Sequence, residues 1–132
     1  MKYPDDFGEL ILIALDQFAT LPRSTQVACC VHSLEAEVNN DGFEQFFTNS
    51  SRLFVPQTLE ALAEIGASKT SAILEKAVTV AYANGFPANQ NEHDEIEESD
   101  SVYAALSRLD DAFLAYEDPI TDLVNQYLSR AT

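Results

Sequence analysis

Apolar residues recur every three or four positions along most of the chain, a period that predicts helices. Phe7, Leu10, Ile11, Ala14, Leu15 and Phe18 share one face of a helix expected over Asp5 to Leu21, ahead of Pro22. Ser24 can cap a second helix, with Val27, Val31, Leu34 and Val38 on its inner side and an end near Asn39–Asn40. A short helix is expected from Gly42 to Thr48. Pro56 suits the start of the next, Leu59, Leu62, Ala63 and Ile65 give it an apolar face, and Gly66 suits its C-terminal cap. Ser68 to Asn84 is helical again through Ile73, Leu74, Ala77, Val78, Ala81 and Tyr82, until Gly85-Phe86-Pro87 breaks the pattern. The polar stretch ANQNEHDEIEESD follows and reads as a loop. Val102, Ala105, Leu106, Leu109 and Phe113 mark another helix. Asp118-Pro119 then supplies a cap and a proline for a last one carrying Ile120, Leu123, Val124, Tyr127 and Leu128.

No run alternates as a strand would, and no repeat is visible. The expected fold is all-α: a single compact domain over residues 1–132 with about six or seven helices and an acidic loop around 85–100. A chain of 132 residues is one ordinary domain by length. It can bury about two-thirds of its unfolded surface without help from a metal or a disulfide. A hydrophobic content of 46% argues against disorder.

Charge changes the picture. Twenty-two acids face seven Lys and Arg, giving −15 at pH 7. Such a field disfavours direct binding to nucleic acid or to an anionic membrane and attracts a basic partner. Cys29 and Cys30 are adjacent, a poor arrangement for a mutual disulfide, and read as small apolar residues on a partly buried helix. Reduced thiols fit a cytoplasmic protein. The start, MKYPDDFGEL, has early acids rather than an apolar run and is not a secretory signal.

The segment NNDGFEQFFTNSS, from Asn39 to Ser51, is the candidate for chemistry. With Gly42 as the sixth residue of a calcium loop, Glu37, Asn39 and Asp41 fall at ligand positions, but the twelfth is Thr48 rather than a bidentate Glu. Ser50 and Ser51 have no nearby His, and no phosphate-binding glycine loop is present. Neither catalytic nor metal-binding residues are therefore expected, and no cofactor. The structural reading is better supported. Asn39, Asn40 and Asp41 can bond to local backbone, Gly42 permits a reversal, and Phe43, Phe46 and Phe47 share one helical face. Asn49 and the serines then end that helix.

EVNNDGFEQFFTNSS resembles the signature of the DMP-type DNA-mimic proteins, a bacterial family whose members carry an Asn-Gly-Gly-Phe-x-Gln-Phe/Tyr-like run before an Asn-Ser-Ser-like segment. The likeness extends more weakly through LEALAEIGA, Leu59 to Ala67, and LDDAF, Leu109 to Phe113. Asp41 replaces the first Gly of that run, and Arg52 stands where Gly is common. If the replaced Gly has positive φ, Asp is among the better substitutes. The resemblance implies an α-helical fold, a homodimer and, in the best-understood member, an acidic surface that occupies the DNA site of a transcription regulator. It also implies that Asn39, Asn40, Gly42, Phe43, Phe46 and Asn49 are structural, with the mimic's acids elsewhere.

The acids themselves cluster. Glu92, Asp94, Glu95, Glu97, Glu98 and Asp100 are six carboxylates within nine residues, and Asp110, Asp111, Glu117, Asp118 and Asp122 add five more, opposed only by Arg108. Carboxylates three or four apart on a helix are separated by about 5 Å of rise, comparable in scale to a row of phosphates, and accept bidentate Arg contacts as phosphates do. Each of them has a simpler role as a solvated charge or a helix-start residue; Asp100 and Asp118 suit caps and Asp122 a first turn. The expected function is that of a non-enzymatic acidic interaction protein, a DNA mimic that competes for a basic DNA-binding regulator through Glu92 to Asp118. The alternative is an immunity-type inhibitor of a basic toxin such as a nuclease, and a third is an enzyme or metal-binding protein.

Overall fold

The computed structural model describes residues 18–48, 52, 54–82 and 99–131. These form α1 (Arg23–Thr48), α2 (Val55–Glu64), α3 (Ser68–Ala81), α4 (Asp100–Leu114) and α5 (Ile120–Ala131). The fold is all-α, with no strand among the described residues. Five helices are described where the periodicity suggested about six or seven. Most of the helix expected over Asp5 to Leu21 lies outside the described residues, as does the expected acidic loop up to Glu98.

The longest element carries the main departure from regular geometry. Within α1 the backbone leaves helical values at Asp41 (φ −153°, ψ 20°) and Gly42 (φ 85°, ψ −175°), then resumes at Phe43. The Asn-Asp-Gly sequence thus interrupts a helix where a new short helix was expected to begin. Of these two residues only Gly42 has positive φ, in a region almost reserved for glycine. The Asp41 position, which stands for a family glycine, needs no such freedom. Opening bonds also differ from expectation: Gln26 N–H donates to the Pro22 carbonyl at 3.0 Å, so Pro22 rather than Ser24 stands at the N-cap position of α1. The Gln26 side chain donates to the carbonyls of Phe18 and Leu21, fixing the chain that enters the helix.

Elsewhere the local signals hold. Pro56 lies in the first turn of α2. At the other end Ala67 N–H donates to Leu62 O and Gly66 N–H to Ala63 O, the paired bonds of a Schellman cap, with Gly66 at φ 81°. Helix α3 stops at Ala81, short of Asn84. Ser99, not Asp100, caps α4: its hydroxyl accepts from Val102 N–H at 3.2 Å.

Helix α1 is the centre of the packing, touching α2, α4 and α5, while α3 closes against α2 and α4. Its inner face supplies Val27, Val31, Leu34 and Val38 to the core, and Cys29 and Cys30 are buried thiols not joined in a disulfide. Burial pushes their pKa values up, to about 11 and about 12. After the break, Phe43, Phe46 and Phe47 are almost wholly enclosed. The Phe43 ring meets Phe113 of α4 edge-on at 5.9 Å, and Phe47 meets Tyr82 at the end of α3 at 5.6 Å. Such aromatic pairs add about 0.5–1.5 kcal/mol each beyond the area they bury. The break therefore aims Phe43 at α4 and Phe47 at the end of α3, with Phe46 packed beside Phe47.

Gly42 has a second reason to be glycine. A Cβ at this position would stand 2.3 Å from Asp110 Oδ2 and 2.8 Å from its Cγ. Gly42→Ala is expected to cost about 2–4 kcal/mol, from positive φ and from displacing the Asp110 carboxylate. Urea unfolding of the two proteins measures it; a loss within 0.5 kcal/mol, the range of neutral surface changes, would refute this account of the break.

Candidate acidic surface

The acids assigned to partner binding divide into three groups. Glu92, Asp94, Glu95, Glu97 and Glu98 lie outside the described residues. Asp100, Asp111 and Glu117 are exposed, as is Asp122. Asp110 and Asp118 turn inward, which corrects their assignment as surface ligands.

Asp118 is 9% exposed. Its Oδ2 accepts from the Thr70 backbone N–H at 2.8 Å and from the Thr70 hydroxyl at 3.1 Å. Helix α3 begins after Ala67, which has no side chain able to cap it. Asp118 supplies the missing acceptor from 48 residues away, and a negative charge there also suits the helix N-terminus. Its own helix is opened instead by the Pro119 carbonyl, which accepts from Leu123 N–H at 2.9 Å.

Asp110 does the same for the second part of α1. Its Oδ1 accepts from Phe43 N–H at 2.8 Å, the first donor after the break. Burial raises the pKa of this carboxyl; the bond from Phe43 opposes the rise, and the charges of Asp111, Asp41 and Glu44 add to it. Asp41, Glu44 and Asp111 are themselves exposed. The break in α1 therefore carries two acids to the exposed side of α4, where a third stands. In the sequence Asp41 has the form of a turn residue, and nothing singles out Glu44. Their only signal was negative charge interspersed among the aromatic residues.

Residues of the Asn39–Ser51 segment have varied placements. Asn39 Nδ2 donates to the Glu35 carbonyl at 2.7 Å and to the Tyr116 hydroxyl at 2.9 Å, so it serves both its own helix and the α4–α5 turn. Asn40 is exposed, Gly42, Phe43 and Phe46 are buried, and Asn49 lies outside the described residues. Gln45 donates to Glu37 across the break at 2.9 Å. Tyr116 in turn donates to Glu35 at 3.0 Å.

A second polar cluster joins three helices at the opposite end of α1. Arg23 donates to Glu64 through Nε and Nη2, at 3.1 and 2.9 Å, and Tyr127 of α5 donates to the other oxygen of the same carboxylate. The Tyr127 hydroxyl and then Arg23 hold the Glu64 pKa below its usual value. Exposure on this rim limits the pair's contribution to stability.

Among the described residues no three His, Cys, Asp or Glu side chains stand together as a metal site, and no helix is long and apolar enough to cross a membrane. The described residues form a helical domain tied by inward carboxylates, with Asp41, Glu44, Asp100, Asp111, Glu117 and Asp122 among the acids that face solvent. The family model for DMP19-like proteins matches residues 19–131, and the chain belongs to that family. Comparisons with curated proteins and with solved structures gave no match.

Two predictions separate inward acids from outward ones. Asp118→Ala leaves Thr70 N–H buried without its acceptor and is expected to lower stability by about 2–3 kcal/mol in urea unfolding. Asp110→Ala should cost about 1 kcal/mol as a lost cap, whereas Asp110→Asn keeps an acceptor for Phe43. The folded-state pKa of Asp110 is raised above its ordinary value of 3.8. Between those two values the folded protein holds more proton than the unfolded one, so this group's contribution falls as pH rises. The stability of Asp110→Asn relative to the native protein should therefore increase from pH 4 towards neutrality. A constant difference across that range would refute the assignment.

Proposed function

We propose that this DMP19-like protein is a non-enzymatic DNA mimic that competes with DNA for a basic DNA-binding regulator. The observation that carries the reading is the convergence of exposed carboxylates from separate elements, Asp41 and Glu44 of α1 with Asp111 of α4, on a folded domain of net charge −15. A carboxylate presents two acceptor oxygens and a negative charge, as a phosphodiester does, and takes the same bidentate arginine contacts. Rigid helices hold these groups in place, so little ordering entropy is lost when a basic surface docks. The mechanism is competition: each Arg or Lys engaged by this surface is withheld from a phosphate. Asp100, Glu117 and the acids from Glu92 to Glu98 belong to the proposed surface; Asp110 and Asp118 support it from inside.

A partner captured from the source lysate at low and high salt, then purified, provides the test. Its complex with this protein should weaken steeply between low and high ionic strength, and duplex DNA should displace it. Changing Asp41 and Asp111 to Asn and Glu44 to Gln together is expected to weaken binding roughly tenfold, at about 0.5 kcal/mol for each exposed charge. A complex indifferent to salt and to competing DNA would exclude mimicry. Neutralisation of a basic nuclease, without competition by DNA, would point to the inhibitor alternative instead.

A further inference from the structure

Tyr116 sits in a conformation that side chains avoid. Its φ is 48°, and it is the only non-glycine residue with positive φ among those described. The position follows the C-cap of α4, where glycine is the usual residue; placing a tyrosine there costs about 1–2 kcal/mol. Yet the ring is not used to fill the core, being 37% exposed. It leans on Phe113 at 5.7 Å, and its hydroxyl is held by Asn39 and donates to Glu35. These bonds would suffice to sew α1 to the α4–α5 turn. They do not explain why an aromatic face is held at the surface beside a carboxylate.

Tyr116 also lines a shallow cleft of about 260 Å³, together with His32, Glu35, Ala36, Asn39 and Thr121. Sites for small molecules are usually about 300–1,000 Å³, so this volume suits a single side chain better than a cofactor or metabolite. The groups around it are complementary to one kind of side chain. Glu35 supplies negative charge, Asn39 and Thr121 supply neutral acceptors, and Tyr116 supplies a fixed π-face. His32 does not oppose a cation, because burial lowers its pKa, against the pull of Glu35, and favours neutral imidazole.

We infer that this cleft receives the guanidinium of an arginine on the basic protein partner, stacked on Tyr116 and paired with Glu35. The inference rests on the basic-partner reading above and adds a specific anchor to it. A planar guanidinium can stack on the ring and donate along its edge to Glu35 and Asn39 at once. A lysine ammonium has no plane to stack and no fixed fork of donors, so the cleft favours arginine where a diffuse acidic surface does not.

The test is a titration of the full chain, observed by two-dimensional amide and aromatic NMR, with N-acetyl-arginine methylamide and its lysine counterpart. The arginine compound should shift the Tyr116 ring, the Asn39 side-chain amide and Glu35, with an affinity at least threefold above that of the lysine compound. Tyr116→Leu, which removes the π-face, should weaken the arginine compound about threefold to fivefold. Tyr116→Phe keeps the face and should retain the preference for arginine even if loss of the hydroxyl lowers the melting temperature. Equal shifts with both compounds, shifts outside the cleft, or unchanged arginine binding in Tyr116→Leu would each overturn the inference. An oligolysine peptide separates the two levels of the proposal. If it binds the acidic face with salt-dependent affinity while the cleft ignores arginine, only the anchor is lost; if neither ligand binds, the basic-partner reading falls with it.

Discussion

The bond from Phe43 N–H to the Asp110 carboxylate holds the fold's main irregularity in place. A helix broken in its interior leaves new unpaired donors, and a buried donor without a partner is costly. Here one is satisfied from a helix 67 residues further along the chain. The carboxylate fits only because residue 42 has no side chain. From that one contact follow the restart of the helix, the placement of Phe43, Phe46 and Phe47, and the edge-on contact of Phe43 with Phe113. Glycine, aspartate and phenylalanine therefore act as a unit, and a change in any one loads the other two.

The same chemistry recurs at Asp118, so the acids of this chain have two separate uses. Some face backbone donors and tie distant helices together; others face solvent and give the domain its field. The two inward carboxylates flank the turn-forming parts of the molecule, one beneath the α1 break and one beneath the start of α3. Outward acids near the break are consequently mounted on a well-braced scaffold. A charged surface built this way resists its own repulsion at the points where the backbone would otherwise yield most easily.

Local signals in the sequence were enough for the all-α class and the approximate positions of the described helices, the Gly66 cap and the aromatic anchor, because periodicity, Pro and Gly act within a few residues. The chain's long-range pairings were not legible in the same way. Asp118 before Pro119 has the form of a local cap, and no rule of short range could direct it to Thr70. Asp110 and Asp111 are neighbours of the same type, yet one faces Phe43 and the other solvent, a choice made by the rotation of α4 against α1. Asp100 lost the capping role to Ser99 by one position. The positive φ of Tyr116 was hidden because the sequence offers no glycine there to announce it. Likewise the acids Asp41 and Glu44 were overshadowed by the aromatic residues that share their segment.

Cys29 and Cys30 carry a practical consequence. Burial raises both thiol pKa values, to about 11 and about 12, so little thiolate forms near pH 8, and enclosure in the core slows attack further. The native protein is thus nearly silent towards thiol reagents without any cysteine having been removed. A single cysteine introduced on the outer face of α4 would be the one fast-reacting position. Spin labels or fluorophores could then report distances from that face while the interior remained as it is.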